Sequence, residues 1–176
     1  MYKSLLKVPH DRIAVFIGEH GVTRKLLEEK LTITLSINSA TGDVEFSSED
    51  SLVVYTAERV LRAIARGFTP DQALVLLKDT VAFELLDLYD FLGKSHKKLV
   101  RFRSRLIGTD GKIRKKLENV SGTSIVVYGK TVGIIGDFVV VGLVRRAVEG
   151  LLSGMSHGAV LRWLKKQMNE GSSEEL

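Results

Sequence analysis

Two four-residue stretches stand out for the chemistry they permit: Gly18-Glu-His-Gly21 and Gly108-Thr-Asp-Gly111. Glycine has no Cβ. Main chain bracketed by two glycines can therefore adopt positive φ cheaply and come close to another polymer. Each stretch is followed by a helical pattern, Val22 to Lys30 and Lys112 to about Asn119. A helix start presents amide N–H groups and the positive end of the helix dipole, which suits phosphate. The chemistry on offer is the holding of an anionic chain.

The two stretches differ in their charged surroundings. Between Lys94 and Lys116 there are ten basic residues and one acid, Asp110. Residues 80–176 hold 16 basic and 10 acidic side chains, whereas residues 1–79 hold 10 and 11. A focused surplus draws a polyanion to one place, while a spread surplus mainly aids solubility. Lys112, Arg114 and Lys115 are the expected phosphate contacts. Arg101, Arg103 and Arg105 strengthen the field, and some of these cations must face away on helical spacing. Thr109 and Asp110 form the tip of the turn, where Asp110 puts a negative charge in the path of a phosphate. Ile107 is either an apolar floor for a base or core filler. Tyr128 either stacks on a base or is simply half buried at a strand end. Gly18, Gly21, Arg24 and Lys25 make a weaker second site, because Glu19 would sit beside phosphate and Val22 replaces Lys112.

The elements that must position these residues form a repeat. Gly18, Gly21, Arg24, Lys25, Leu27 and Glu28 recur as Gly108, Gly111, Arg114, Lys115, Leu117 and Glu118. Further on, Ser51-Leu-Val-Val matches Asp137-Phe-Val-Val, and Gly67-Phe-Thr-Pro matches Gly154-Met-Ser-His. Two blocks matched in the same order argue for a duplicated module. In the first copy, Tyr2 to Val8 reads as a strand and Arg12 to Ile17 as a helix that breaks at Gly18. Leu31 to Ile37 alternates with period two, as a half-buried strand does. Ala40 to Asp43 is a turn, Val44 to Ser47 a return strand, and Ser48 or Ser51 caps a helix to about Arg66. A short helix begins near Pro70. In the second copy, Val81 to Leu92 holds a strand and Ser95 caps a helix to Ile107. Thr123 to Tyr128 and Thr131 to Ile135 pair around Gly129-Lys130. Asp137 caps a helix to about Leu152, and a last helix covers Ala159 to Met168. The expected domains are 1–79 and 80–170, with a flexible tail at 171–176.

Composition narrows the function. There is no cysteine, which removes disulfides, thiol nucleophiles and cysteine-ligated zinc. His10, His20, His96 and His157 lack metal spacing, and no carboxylate pair or catalytic triad stands out. The Gly-x-x-x-x-Gly-Lys-Ser/Thr phosphate loop is absent. An enzyme is not expected, nor is a cofactor or a metal. The longest apolar run, Phe138 to Val144, is far too short to span a bilayer. The N-terminus lacks the marks of a signal peptide, so a cytoplasmic location is expected. Scarce amides beside many charged residues suit a thermophile.

Strand, helix, Gly-x-x-Gly, helix, strand, strand, helix is an order that resembles a type I KH domain, a module for single-stranded nucleic acid. The fold class expected is α+β: two tandem type I KH domains, each a three-stranded antiparallel sheet on three helices, with an extra C-terminal helix per unit. Arg105 to Glu118, followed by Ser121 to Gly136 with its Tyr128-Gly-Lys-Thr-Val132 turn, resembles the archaeal partner-of-Nob-one (Pno/Dim) ribosome-assembly family. That resemblance implies binding to the 3′ region of small-subunit rRNA, near the endonuclease that trims it and other assembly proteins. It carries Gly108, Gly111, Lys112, Arg114 and Lys115 over as RNA contacts. The alternatives are an RNA-binding adaptor or exosome-type subunit, and a scaffold that binds only protein.

Overall fold

The computed structural model describes residues 1–173. It divides into two compact units, Met1–Asp79 and a unit from Thr80 onward. In unit 1 the order is β1 (Tyr2–Lys7), α1 (His10–Ile17), a tight turn at Glu19–Gly21, α2 (Val22–Leu31), β2 (Thr34–Asn38), β3 (Asp43–Ser48), α3 (Ser51–Ala65) and α4 (Pro70–Leu74). Unit 2 runs β4 (Val81–Asp87), α5 (Tyr89–Leu92), α6 (His96–Ile107), a turn at Thr109–Gly111, α7 (Lys112–Ser121), β5 (Ser124–Tyr128), β6 (Thr131–Asp137), α8 (Phe138–Leu152) and α9 (His157–Ser173). The α+β class and the two three-stranded antiparallel sheets are as expected, in the orders β1-β3-β2 and β4-β6-β5.

Each sheet turns one face to its helices. In unit 1, Leu35 and Phe46 are cross-strand partners, and both are fully buried with Phe16, Leu27, Leu61 and Ile64. In unit 2, Ile125 and Ile134 pair in the same way, buried with Leu106, Leu117, Val148 and Leu151. Trp163 packs part-buried against this second core. Burying such a side chain contributes about 1.5–3 kcal/mol. The cores therefore hold the helices, and with them the glycine turns, in place.

Several boundaries differ from the sequence reading for identifiable reasons. The strand expected from Leu31 starts only at Thr34, because α2 continues through Leu31 and Thr32 then turns left-handed at φ 57°. Leu31, Ile33 and Leu35 are all buried, so a helix end followed by a strand mimics one period-two run. The long helix α3 is capped by Asp50, whose carboxylate accepts from the Leu52 N–H at 2.8 Å, rather than by Ser48 or Ser51. A carboxylate satisfies the free amides and also meets the positive dipole end. After β4 the chain makes the short helix α5, started by Asp87 accepting from the Tyr89 N–H at 3.0 Å. The tail expected from Gly171 is helical through Ser173: the Ser172 and Ser173 hydroxyls donate to the Met168 and Asn169 carbonyls. Residues 174–176 of that tail lie outside the described residues.

Two polar devices recur in both units. The repeated glutamate of the motif ties a helix end to the next strand. Glu28 accepts from the Leu35 N–H at 2.9 Å, and Glu118 from the Ile125 N–H at 2.8 Å. An arginine also closes the end of each long helix, where carbonyls lack intrahelical partners. Arg12 donates to the Ile64 and Phe68 carbonyls at 3.0 and 2.7 Å. Arg105 donates to the Leu151 and Met155 carbonyls. A cation at a helix C-terminus is also favoured by the dipole.

The Arg105 brace generates a stability prediction. Hydrogen bonds from a charged donor contribute about 1.5–3 kcal/mol when they are well formed. Arg105→Ala is expected to lower the unfolding free energy by about 1–3 kcal/mol, read as a shifted urea midpoint. An unchanged midpoint would show that water replaces the guanidinium at no cost.

Candidate nucleic-acid interface

The two glycine turns share one backbone conformation. In unit 2, Gly108, Asp110 and Gly111 have φ of 74°, 55° and 71°; in unit 1, Gly18, His20 and Gly21 have 71°, 52° and 76°. The Gly111 N–H donates to the Gly108 carbonyl at 3.3 Å, and Gly21 does the same to Gly18 at 3.3 Å. Three of four residues thus sit at positive φ. Asp110 is tolerated there because short polar side chains accept the left-handed region better than most. Its place in the turn has a conformational cause, despite its charge.

The paired glycines do different jobs. A Cβ on Gly108 would meet the Ile113 Cγ1 at 2.6 Å, and one on Gly18 would meet the Thr23 Oγ1 at 2.2 Å. The first glycine lets the turn close on α7 or α2. A Cβ on Gly21 would meet nothing within 4 Å, and one on Gly111 only the Arg114 guanidinium at 3.5 Å and the Lys115 and Arg114 side chains beyond it. The second glycine therefore bares main chain toward open space. Thr109 and Asp110 are exposed, as are Glu19 and His20. The starts of α2 and α7 carry no side-chain cap, whereas α3, α4, α6 and α8 do. The Val22 and Lys112 N–H groups donate to the Glu19 and Thr109 carbonyls within the turns, and the positive ends of both helix dipoles face the turns.

The structure sorts the cations that the sequence could only count. Lys112 and Lys115 are exposed on the first turn of α7, and their side chains have no ion pair or hydrogen bond among the described residues. Arg101 is likewise exposed and unpaired on α6. Arg103 is half-buried, and its Nε is enclosed without a hydrogen-bond partner. It lines a groove of about 410 Å³ with Val100, Ser104, Ile107, Gly108 and Thr109. These α6 positions follow i, i+3, i+4, i+7 spacing, so they form one face leading into the turn. Ile107 is half-buried in that wall. An enclosed N–H beside apolar carbons and bare main chain suits a base edge or a phosphate oxygen.

Two expected contacts take other roles. Arg105 does not offer a free guanidinium to a phosphate in this structure: it is engaged by the Leu151 and Met155 carbonyls. It faces away from the groove because it is two residues on from Arg103, on the other side of α6. Arg114 is drawn onto Glu118 at 3.0 Å and lies 3.5 Å from the Ile125 carbonyl. It shapes the floor beside Gly111 more than it projects. In unit 1, Arg24 similarly leans toward Glu28 at 3.8 Å, Lys25 is exposed, and Glu19 and His20 stand 3.7 Å apart at the tip. The unit 1 turn keeps the shape with fewer free cations. The roles of Glu28 and Glu118 were missed from sequence; their recurrence at one place in both motifs was the available signal. No group of histidine, aspartate or glutamate suited to a metal occurs among the described residues. Among those residues, too, no helix is long and apolar enough to cross a membrane.

Comparison with known proteins places this geometry. A model of the second KH domain of Pno1, described as a eukaryotic-type KH domain (type I), matches residues 82–169. A KH domain-containing protein of Methanocaldococcus jannaschii is 37% identical over 168 residues, covering 93% of this chain and 73% of that protein. The pre-rRNA-processing protein Pno1 of Aspergillus fumigatus is 31% identical over 143 residues, covering 78% of this chain. The match spans 56% of the fungal protein's length. A chain in the crystal structure of an a/eIF2alpha–aDim2p–rRNA complex from Pyrococcus horikoshii superposes with a TM-score of 0.88 at 38% identity, covering 96% of this chain and 95% of that one.

The contrast between the glycines can be tested by stability. Gly108→Ala adds a clash with Ile113 to the positive-φ cost and is expected to destabilise by about 2–3 kcal/mol. Gly111→Ala meets open space and is expected to cost about 1 kcal/mol, from backbone strain alone. Thermal melts of the two variants check the order. Equal losses would mean that the close approach at Gly108 relaxes freely.

Proposed function

Because the chain belongs to the PNO1-type KH family, we propose that it is a single-stranded RNA-binding factor of small-subunit ribosome assembly. In this reading it consists of two tandem KH domains, residues 1–79 and 80–170, and the second makes the main RNA contact. Its target is the 3′ region of the small-subunit rRNA, next to the endonuclease that trims that end. It acts by binding and positioning, without catalysis, cofactor or metal, in the cytoplasm.

One observation carries the site: the Gly108–Gly111 turn is bare, left-handed main chain at an uncapped helix start, beside the unpaired cations Lys112 and Lys115. A KH turn of this kind clamps about four nucleotides by their backbone. The positive end of the α7 dipole and the two ammonium groups face the phosphates. The α6 groove with Arg103 and Ile107 receives the bases. Relatives named for pre-rRNA processing, and a similar chain in a complex that holds rRNA, support the choice of ligand. Unit 1 has the same turn with Glu19 at its tip and few free cations, which favours a scaffolding or protein-binding role.

Binding of the purified chain to an RNA from the small-subunit 3′ region, followed by fluorescence anisotropy, tests the reading. Gly111→Asp puts a carboxylate on the open side of the turn, at a φ that aspartate tolerates, and should weaken binding at least tenfold. Lys112→Ala with Lys115→Ala should weaken it roughly five- to tenfold and flatten the log–log salt slope by about 1.4 for two phosphate contacts. Gly21→Asp should have little effect. Equal losses at both turns would refute the division of labour, and no binding by the unaltered chain would refute the function.

A further inference from the structure

Unit 2 has a second cationic concavity beside its glycine turn. In unit 1 the chain after the long helix forms the five-residue α4 and a tight helical turn at Val75–Leu77. In unit 2 it forms α9, His157–Ser173, which packs against α7 and α8 through the buried Val160 and Leu164. A groove of about 340 Å³ lies between α7 and α9, lined by Lys116, Asn119, Val120, Leu161, Arg162 and Lys165. Val120 and Leu161 form its floor, part-buried against the core. Lys116, Arg162 and Lys165 are exposed at its rim, and none has an ion pair or hydrogen bond among the described residues. None of the described residues that line it is acidic.

The groove continues the glycine turn. Lys112 and Lys116 are i and i+4 on α7, so they share a face about 6 Å apart along the axis at ~1.5 Å per residue. Asn119 and Val120 are the next turn of that face. A row of unpaired cations therefore runs from the turn into the groove.

We infer that the α7–α9 groove is a second subsite for the same RNA strand, beyond the nucleotides held at the Gly108–Gly111 turn. The inference rests on that turn being an RNA contact. A base lies on Val120 and Leu161, and the Asn119 amide meets its edge with a donor and an acceptor. The flanking phosphates meet Lys116, Arg162 and Lys165. An acidic peptide would also suit cations above an apolar floor, but the row leading back to the glycine turn favours a continuous polyanion.

The test compares the full chain with a variant carrying Lys116→Ala, Arg162→Ala and Lys165→Ala, all on exposed side chains. The probes are mixed-sequence single-stranded oligoribonucleotides of about four nucleotides, the span of a KH turn, and of about twelve. The unaltered chain should bind the longer probe more tightly. The variant should lose about tenfold or more on the longer probe and less than twofold on the shorter. Its salt slope on the longer probe should flatten by about 2, for three contacts at roughly 0.7 each. Unchanged affinity and slope for the longer probe, with Gly111→Asp still disruptive, would overturn the groove proposal and leave the RNA reading intact. Such a result would turn attention to a protein occupant. Failure of the unaltered chain to bind either probe would overturn both.

Discussion

In each unit the chain leaves one helix and enters the next through a turn whose first, third and fourth residues hold φ between 52° and 76°. Few residue types accept that region, and glycine accepts it at least cost. The reversal it makes brings two helices onto one sheet, so that Phe16 and Leu27, or Leu106 and Leu117, reach the same core. It also leaves main chain uncovered, since a turn so tight has no side chain to lay over it. Packing and exposure thus come from the same torsion angles. The fold could not keep the first and hide the second.

The two units separate shape from charge. Both have the turn, the uncapped helix start and the glutamate that ties helix to strand. Among the described residues, the second surrounds its turn with several cations free of protein partners, whereas the first has Lys25. The field of unit 2 is therefore an addition to a frame that unit 1 also carries. A frame without the field still presents an ordered surface, to which a different kind of partner can fit.

Much of this was legible in the sequence. The glycine pairs, the repeat and the period-two strands fixed the order of elements, because each rests on a local steric rule. Asp137 and Ser95 were readable as caps, while Asp50 was missed because two serines flanked it as competitors. The bare turn and the cations beside it were legible at Gly108, Gly111, Lys112 and Lys115, which lie within eight residues of one another. The site was not legible at Arg105. Helical spacing says that this residue faces away from Arg103, but its carbonyl partners lie more than forty residues further along the chain. Arg114 misled for a similar reason: its Glu118 partner, one helical turn on, also holds a strand amide. The α7–α9 groove was hidden altogether, since its two walls come from distant helices.

The arginine that closes each long helix stands in a different place in the two copies. Counting back from the first glycine, Arg12 lies opposite Phe102, and Arg105 lies opposite Val15. Their acceptors do correspond: Ile64 and Phe68 in one copy, Leu151 and Met155 in the other. What the two copies share is thus a pair of bare carbonyls, and each takes its donor from a different turn of the helix before the glycines. Position-by-position averaging of the repeats into one idealised module would miss this. Depending on which copy it followed at each site, the hybrid would inherit two guanidiniums crowding one pair of oxygens, or none at all.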